Sequence, residues 1–331
     1  MKKRNYIITS VLVILLVLFF VADLLFGSIS ISLSDFFKTI FGTQNDRVVH
    51  EIIVNYRLTK ALTAVLAGAG LSVSGLLLQT LFRNPLADPY ILGVSSGASL
   101  GVAVVVLASS LAPAVLLQSG WAQIVAAIVG ASAVLALVVF FSFRVRSVVS
   151  LLIIGIMFGA IASAIVTILQ NMSNPDFLKI FIAWTFGSLS SVTWSYMIVL
   201  LPVTTAGILF ACLLQKSLDG LLLGEKYAAS LGISVKRMRL LIVLTAGILS
   251  GSLTAFTGPI AFVGVAVPHL ARGLFRTSQH RILLTACILC GAILLLACDI
   301  ITQIPASALP LNTVCALLGA PVIIYILLKN K

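Results

Sequence analysis

The sequence has little charge. Of 331 residues only 9% are Asp, Glu, Lys or Arg, while 60% are hydrophobic and mean hydropathy is +1.20. A soluble domain carries roughly 25% charged residues, so this chain cannot clothe a water-exposed surface. The runs from Tyr90 to Phe143, Val148 to Gln170, Ile180 to Gln215, Leu240 to Pro268 and Ile300 to Leu328 hold no charged side chain. A bilayer crossing needs about 20 apolar residues, and these runs lack the polar face of a soluble core helix.

Other absences narrow the function. No Gly-x-x-x-x-Gly-Lys-Ser/Thr motif is present, so the chain has no P-loop, and any ATP that drives it must be hydrolysed elsewhere. Ionisable groups within the apolar runs are limited to Asp23, Lys60 and Asp299, all near outer ends. Proton-driven carriers usually place such groups near the midplane, which lowers the standing of that class. Sodium carriers can use carbonyls and hydroxyls instead, so a secondary ion-coupled carrier stays open as an alternative. The five cysteines (Cys212, Cys287, Cys290, Cys298, Cys315) lie in apolar stretches, and Cys287 and Cys290 have no second pair to complete a four-ligand site. They read as small buried residues, and no metal, cofactor or catalytic residue is expected in this chain. The net charge of +12 reads as loop Lys and Arg on the cytoplasmic side rather than as a nucleic-acid surface. Lys2, Lys3 and Arg4 precede an apolar run from Tyr6 to Phe26 that exceeds a signal-peptide core and reads as a retained first helix.

Cutting the runs at Gly, Pro and charge predicts an all-α membrane protein, a single transmembrane domain over 1–331 with about ten transmembrane helices. The expected spans are 5–27, 58–82, 91–109, 119–143, 148–170, 191–214, 240–256, 259–271, 282–304 and 308–328. With the N-terminus inside, sixteen Lys and Arg fall on inner segments and five (Lys38, Arg47, Arg57, Lys60, Lys179) on outer ones. That asymmetry puts both termini in the cytoplasm. Segment 259–271, bounded by Gly258-Pro259, is short for a full crossing, a form tolerated only where protein or a cavity surrounds it. Ala69-Gly70, Gly75, Phe82, Pro85 and Gly93-Val94 are echoed by Ala246-Gly247, Gly251, Phe256, Pro259 and Gly264-Val265. This is an inverted repeat of the transporter type, or a chance pattern among abundant small residues.

Two faces carry small residues at four-residue spacing: Ala64, Gly68 and Ser72, and Gly155, Gly159, Ser163 and Thr167. Both suit close helix packing, and the hydroxyls of the second make it a candidate wall of a translocation pathway. Gly93-Val94-Ser95-Ser96-Gly97 fits the short Gly-x-Ser-x-Gly pattern of serine hydrolases, and with His269 it raises the remote alternative of an intramembrane serine protease. A helix cap at Ser95 or Ser96 is the plainer reading. The longest inner loop, 215–239, should hold two short helices parted by Gly224 and ended by Gly232. Too short to be stable alone, they suit docking to a partner protein or lying on lipid.

Taken together these motifs resemble the permease subunits of ABC importers for iron-siderophores, haem and vitamin B12. The resemblance runs from Arg57-Leu58-Thr59-Lys60 and Ala67 to Gly75 through Arg83-Asn84-Pro85-Leu86-Ala87-Asp88-Pro89, Leu92 to Ala98 and Gly187-Ser188-Leu189. It continues through Leu223-Gly224-Glu225, Ala228 to Gly232, Gly258 to Gly264, Pro268-His269 and Arg272 to Leu318-Gly319-Ala320-Pro321. It covers roughly residues 50–328. It implies a homodimer in the bacterial cytoplasmic membrane, two ATP-binding cassette subunits that hold ATP and Mg below it, and an extracytoplasmic substrate-binding protein above. Transport would proceed by alternating access. The resemblance assigns the coupling helices to 215–239, with Leu222, Leu223, Gly224, Glu225, Ala228, Leu231 and Gly232 meeting the ATPase. It assigns binding-protein docking to Arg57 and Lys60, for which interfacial anchoring is the alternative. A third basic position of the family falls on Gln303, a departure that puts that contact in doubt.

Overall fold

The computed structural model describes residues 2–27, 29, 32–40, 42, 46–107, 120–145, 147–304 and 309–329. The helices are α1 (Lys2–Leu25), α2 (Leu33–Ile40), α3 (Arg47–Phe82), α4 (Val94–Leu107), α5 (Gly120–Arg144), α6 (Val148–Met172), α7 (Pro175–Thr185), α8 (Trp194–Leu213), α9 (Gln215–Leu222), α10 (Glu225–Ser230), α11 (Val235–Thr257), α12 (Val263–Phe275), α13 (His280–Thr302) and α14 (Leu311–Lys329). No strand occurs among the described residues. Seven of these helices (α1, α3, α5, α6, α8, α11 and α13) are long and apolar enough to cross a bilayer, and α4, α12 and α14 complete about ten crossings. Alternating passes return the chain to the face where it began. Consistent with this, Arg4 Nη2 donates to the Phe275 carbonyl at 2.9 Å, joining the start of α1 to the end of α12.

The centre is α3, 89% buried in its most apolar window against 17% for α1 and 22% for α6 and α8. What makes a central apolar helix possible is the absence of side chains where helices cross. Gly68 faces Gly291 of α13, Gly75 faces Gly264 of α12, and Gly97 of α4 faces Gly130 of α5. A Cβ on any of these six would be driven into the partner's backbone or, at Gly264, into Pro89. Lipid tails are as apolar as leucine, so association relies on van der Waals contact at such sites. The predicted face Ala64–Gly68–Ser72 is this packing surface, with Ser72 also set against Gly291.

Two chain breaks cross beside each other. Residues 83–93 lead from α3 through a 3₁₀ turn at Pro89–Leu92 into α4, and residues 258–262 lead from α11 into α12. Ser74 Oγ donates to the Ala246 carbonyl at 2.9 Å, joining the two echoing segments, which run in opposite directions. Parts of this unwound backbone are shielded and hydrogen-bonded to side chains. Asp88 Oδ1 accepts from Tyr90 N, and Asn312 Oδ1 accepts from Ala261 N at 3.0 Å. This is the condition under which irregular backbone survives at membrane depth.

Several boundaries differ from expectation. The segment expected at 259–271 is helical only over Val263–Phe275, because Gly258 and Phe262 take positive φ (72° and 68°) and delay the helix. Thirteen residues span about 20 Å, so α12 reaches only part way and the non-helical residues 258–262 supply the rest. Helix α3 begins at Arg47, eleven residues before the expected 58, through a π turn at Ile52–Arg57. Helix α11 starts at Val235, not 240. Helix α7 was not expected, although Asn174-Pro175-Asp176 carries a helix-start signal. The turn expected near 109–120 lies almost wholly outside the described residues.

Replacing Gly291 by valine should destabilise the fold by about 1–3 kcal/mol, the usual cost of overpacking. Denaturation in detergent micelles measures this. An unchanged midpoint would contradict backbone contact between α3 and α13.

Candidate functional site

Three places gather functional side chains. The first is the inner loop. Helix α9 buries Leu218 and Leu221 against the bundle and leaves Leu222 and Leu223 outward, the latter 67% exposed. Gly224 follows at φ 122°, a conformation L side chains rarely adopt, and turns the chain into α10. Tyr227 and Leu231 are also exposed, and Gly232 (φ 79°) ends the turn with open space around it. The outward residues Leu222, Leu223, Tyr227 and Leu231 are four large apolar side chains on a short polar loop. Of the other expected contact residues, one is turned inward and one is half-exposed but paired within the chain. Ala228 is fully buried, and Glu225 Oε1 pairs with Arg239 Nη2 at 3.3 Å. Arg239 Nη1 also donates to the Val145 carbonyl at 3.0 Å, tying α10 to the segment between α5 and α6. Sequence reasoning missed Tyr227. Its place between Gly224 and Leu231 on a six-residue helix could have suggested it.

The second place lies at the outer end. Lys60 Nζ sits 2.6 Å from Asp299 Oδ2 and 3.4 Å from Asp23 Oδ1, joining α3 to α13 and α1. Gln303 Nε2 donates to the same Asp299 oxygen at 2.6 Å. The Arg57 guanidinium donates to the carbonyls of Leu24 (2.9 Å), Leu25 (2.7 Å) and Ile29, capping the end of α1. Both cations, expected to face a docking protein, are buried and engaged within the chain, Arg57 at 5% and Lys60 at 6% exposure. The physical reason is the local density of carboxylates and open helix-end carbonyls, which a cation at this depth must satisfy. Gln303 has a role here as the amide that completes the shell of Asp299.

The third place is a cavity of about 280 Å³ beside α4, α6 and α7. Ser95, Ser96 and Ser99 line one wall, and Ser163, Thr167 and Gln170 the other, with Tyr90 at one edge and Phe181 and Thr185 from α7. No charged residue lines it. Of the expected pathway residues, Ser163 and Thr167 face this space. Gly155 and Gly159 do not: both are buried beneath Gly93 of the 83–93 break, where they serve packing.

The hydrolase pattern does not assemble. Ser95 Oγ lies 3.3 Å from Thr254 Oγ1, while His269 Nε2 bonds the Pro85 carbonyl at 2.8 Å. A nucleophile needs its base within hydrogen-bond reach, and these two residues are committed to different partners. Among the described residues no three potential metal ligands converge.

About ten crossings packed on glycines at their centre, two chain breaks beside that centre and an inner loop with an outward apolar face define a polytopic membrane permease. The chain belongs to the FecCD transport family, whose description matches residues 14–329. It is 39% identical over 281 residues to the vitamin B12 import system permease protein BtuC of Klebsiella pneumoniae, covering 83% of this chain and 82% of that one. It is 35% identical over 328 residues to the hemin transport system permease protein HmuU of Yersinia pestis, covering 97% and 95%. A solved inward-facing structure of a metal-chelate type ABC transporter superposes with a TM-score of 0.86 at 31% identity, covering 97% of this chain and 99% of that one. The protein is therefore an ABC transporter permease, a multi-pass membrane subunit.

Lys60→Ala should destabilise the protein by about 3–5 kcal/mol, because it strands two buried carboxylates. Adding Asp299→Asn should recover part of the loss, and a double-mutant cycle of unfolding midpoints reads the coupling. Strictly additive effects would contradict the ion pair.

Proposed function

We propose that this chain is the membrane subunit of an ATP-driven importer in the bacterial cytoplasmic membrane, carrying a corrinoid or an iron chelate such as a siderophore or haem inward. The outward apolar face of the inner loop carries this reading. A loop so short has no core of its own to cover Leu222, Leu223, Tyr227 and Leu231, and docking into a cleft of an ATPase covers them. The relatives named for vitamin B12 and hemin transport support the cargo range.

In this reading two ATPase subunits, holding ATP and Mg, sit below a homodimer of the permease. Their closure moves α9 and α10, and the helices rock to expose the cavity to alternate sides. The hydroxyl wall supports passage of a bulky cargo, since isolated hydroxyls and an amide offer exchangeable hydrogen bonds without a fixed charge to hold it. The chain itself does no covalent chemistry. A binding protein delivers cargo from outside, and Arg57 and Lys60 reach it only by exchanging the internal partners they hold here.

Leu223→Glu and Leu231→Glu should each weaken association with the ATPase by about thirtyfold or more, the scale of an interface hot spot. Lys226→Glu, on an exposed neighbouring position, serves as the comparison. Affinity is measured on detergent-purified permease titrated with its ATPase partner. Undiminished affinity in both leucine variants would overturn the docking assignment.

A further inference from the structure

Asp219 stands on α9 and does not face outward with the apolar set. Its Oδ1 accepts two hydrogen bonds from one residue, from His280 N at 2.8 Å and from His280 Nδ1 at 2.7 Å. The other ring nitrogen, Nε2, lies 2.8 Å from Thr80 Oγ1. The Thr80 hydroxyl also bonds the Leu76 carbonyl at 2.9 Å. The imidazole is fully buried and the Asp219 side chain half-exposed. A carboxylate only accepts, so Nδ1 carries a proton and the ring is oriented by that bond. Thus one carboxylate on the inner loop grips, through one ring, the first residue of α13 and the last turn of α3.

These two helices are the pair already joined twice elsewhere. Gly68 meets Gly291 along their length, and Lys60 holds Asp299 at their outer ends. Three attachments at three heights make α3 and α13 one stiff unit. It extends about 29 Å from the loop contact at His280 to the outer cluster at Asp299, taking 1.5 Å per residue along α13. The Glu225–Arg239 pair binds the other half of the loop to α11 and the Val145 carbonyl. Besides the buried Leu218 and Leu221, these two polar grips hold the loop to the bundle among the described residues, and it is that of Asp219 that leads into the central helix.

We propose that the Asp219–His280–Thr80 relay is the link through which movement of the coupling loop reaches the α3–α13 pair, with Asp219 and His280 as positioning residues for transport. This rests on the reading of 215–239 as the ATPase-docking loop. A loop that docks but is released from α13 still stimulates and follows the ATPase. What it loses is the path by which its displacement tilts the central pair.

The test uses the complete transporter, with permease, ATPase and binding protein reconstituted in proteoliposomes. Candidate cargo is represented by a radiolabelled corrinoid and a ferric chelate. Asp219→Ala and Thr80→Val approach the relay from opposite ends. Each should assemble with the ATPase as the unaltered chain does and hydrolyse ATP at a similar rate. Cargo moved per ATP should fall about fivefold or more, the lower range of a coupling between sites. The double variant should be no worse than the worse single variant, because the two changes cut one path. Asp219→Asn, which keeps an acceptor oxygen for both donors, should restore most of the ratio. A cargo-to-ATP ratio equal to that of the unaltered chain in Asp219→Ala overturns the proposal, as does additive loss in the double variant. Loss of ATPase binding together with hydrolysis in the single variants would make the relay merely structural and also overturns it. If the unaltered chain itself fails to engage the ATPase, the docking assignment fails, a result distinct from the others.

Discussion

The structure depends on the approach of α3 to α13 without intervening side chains. In a bilayer no hydrophobic gain rewards one apolar helix for leaving lipid to join another. Cohesion must come from close atomic contact and from the few polar bonds that lipid cannot replace. The facing glycines at 68 and 291 supply the first, and Lys60 with Asp299 supplies the second. Once α3 is enclosed, the two chain breaks can pack beside it at Gly75, Gly264 and Pro89.

This centre gives the peripheral helices their freedom. Helices α1, α6 and α8 touch the bundle along narrow stripes and present most of their surface outward. Helix α6 has two characters along its length. Its inner part packs Gly155 and Gly159 under Gly93, while Ser163 and Thr167 further out face the cavity. In the proposed mechanism such an element would pivot at the tight contact while its polar end borders the cavity. That is the behaviour alternating access asks of a wall helix.

Much of this was legible in the sequence because charge is so scarce. Charge-free runs located the crossings, and the one-sided distribution of Lys and Arg oriented them. Gly224 and Gly232 mark the ends of α10 in the sequence itself. What escaped was set by tertiary contact. Helix α7 is short and its second half merges into the apolar run that begins at Ile180, so its Asn-Pro-Asp start is the main mark that distinguishes it. The delayed start of α12 comes from positive φ at Phe262, which no residue preference announces. The inward turn of Arg57 and Lys60 needed knowledge that Asp23 and Asp299, distant in sequence, meet beside them. The same holds for Asp219 and His280, polar residues of a loop and a helix start that look solvated until placed together.

The central claim is that ATP hydrolysed on another subunit powers inward movement through this chain. The most direct measurement is cargo uptake into proteoliposomes holding the permease, its ATPase and its binding protein, with ionophores abolishing all ion gradients. The account predicts uptake that requires ATP and the ATPase and is indifferent to the ionophores. Uptake driven by an imposed ion gradient in liposomes that contain the permease alone would contradict it.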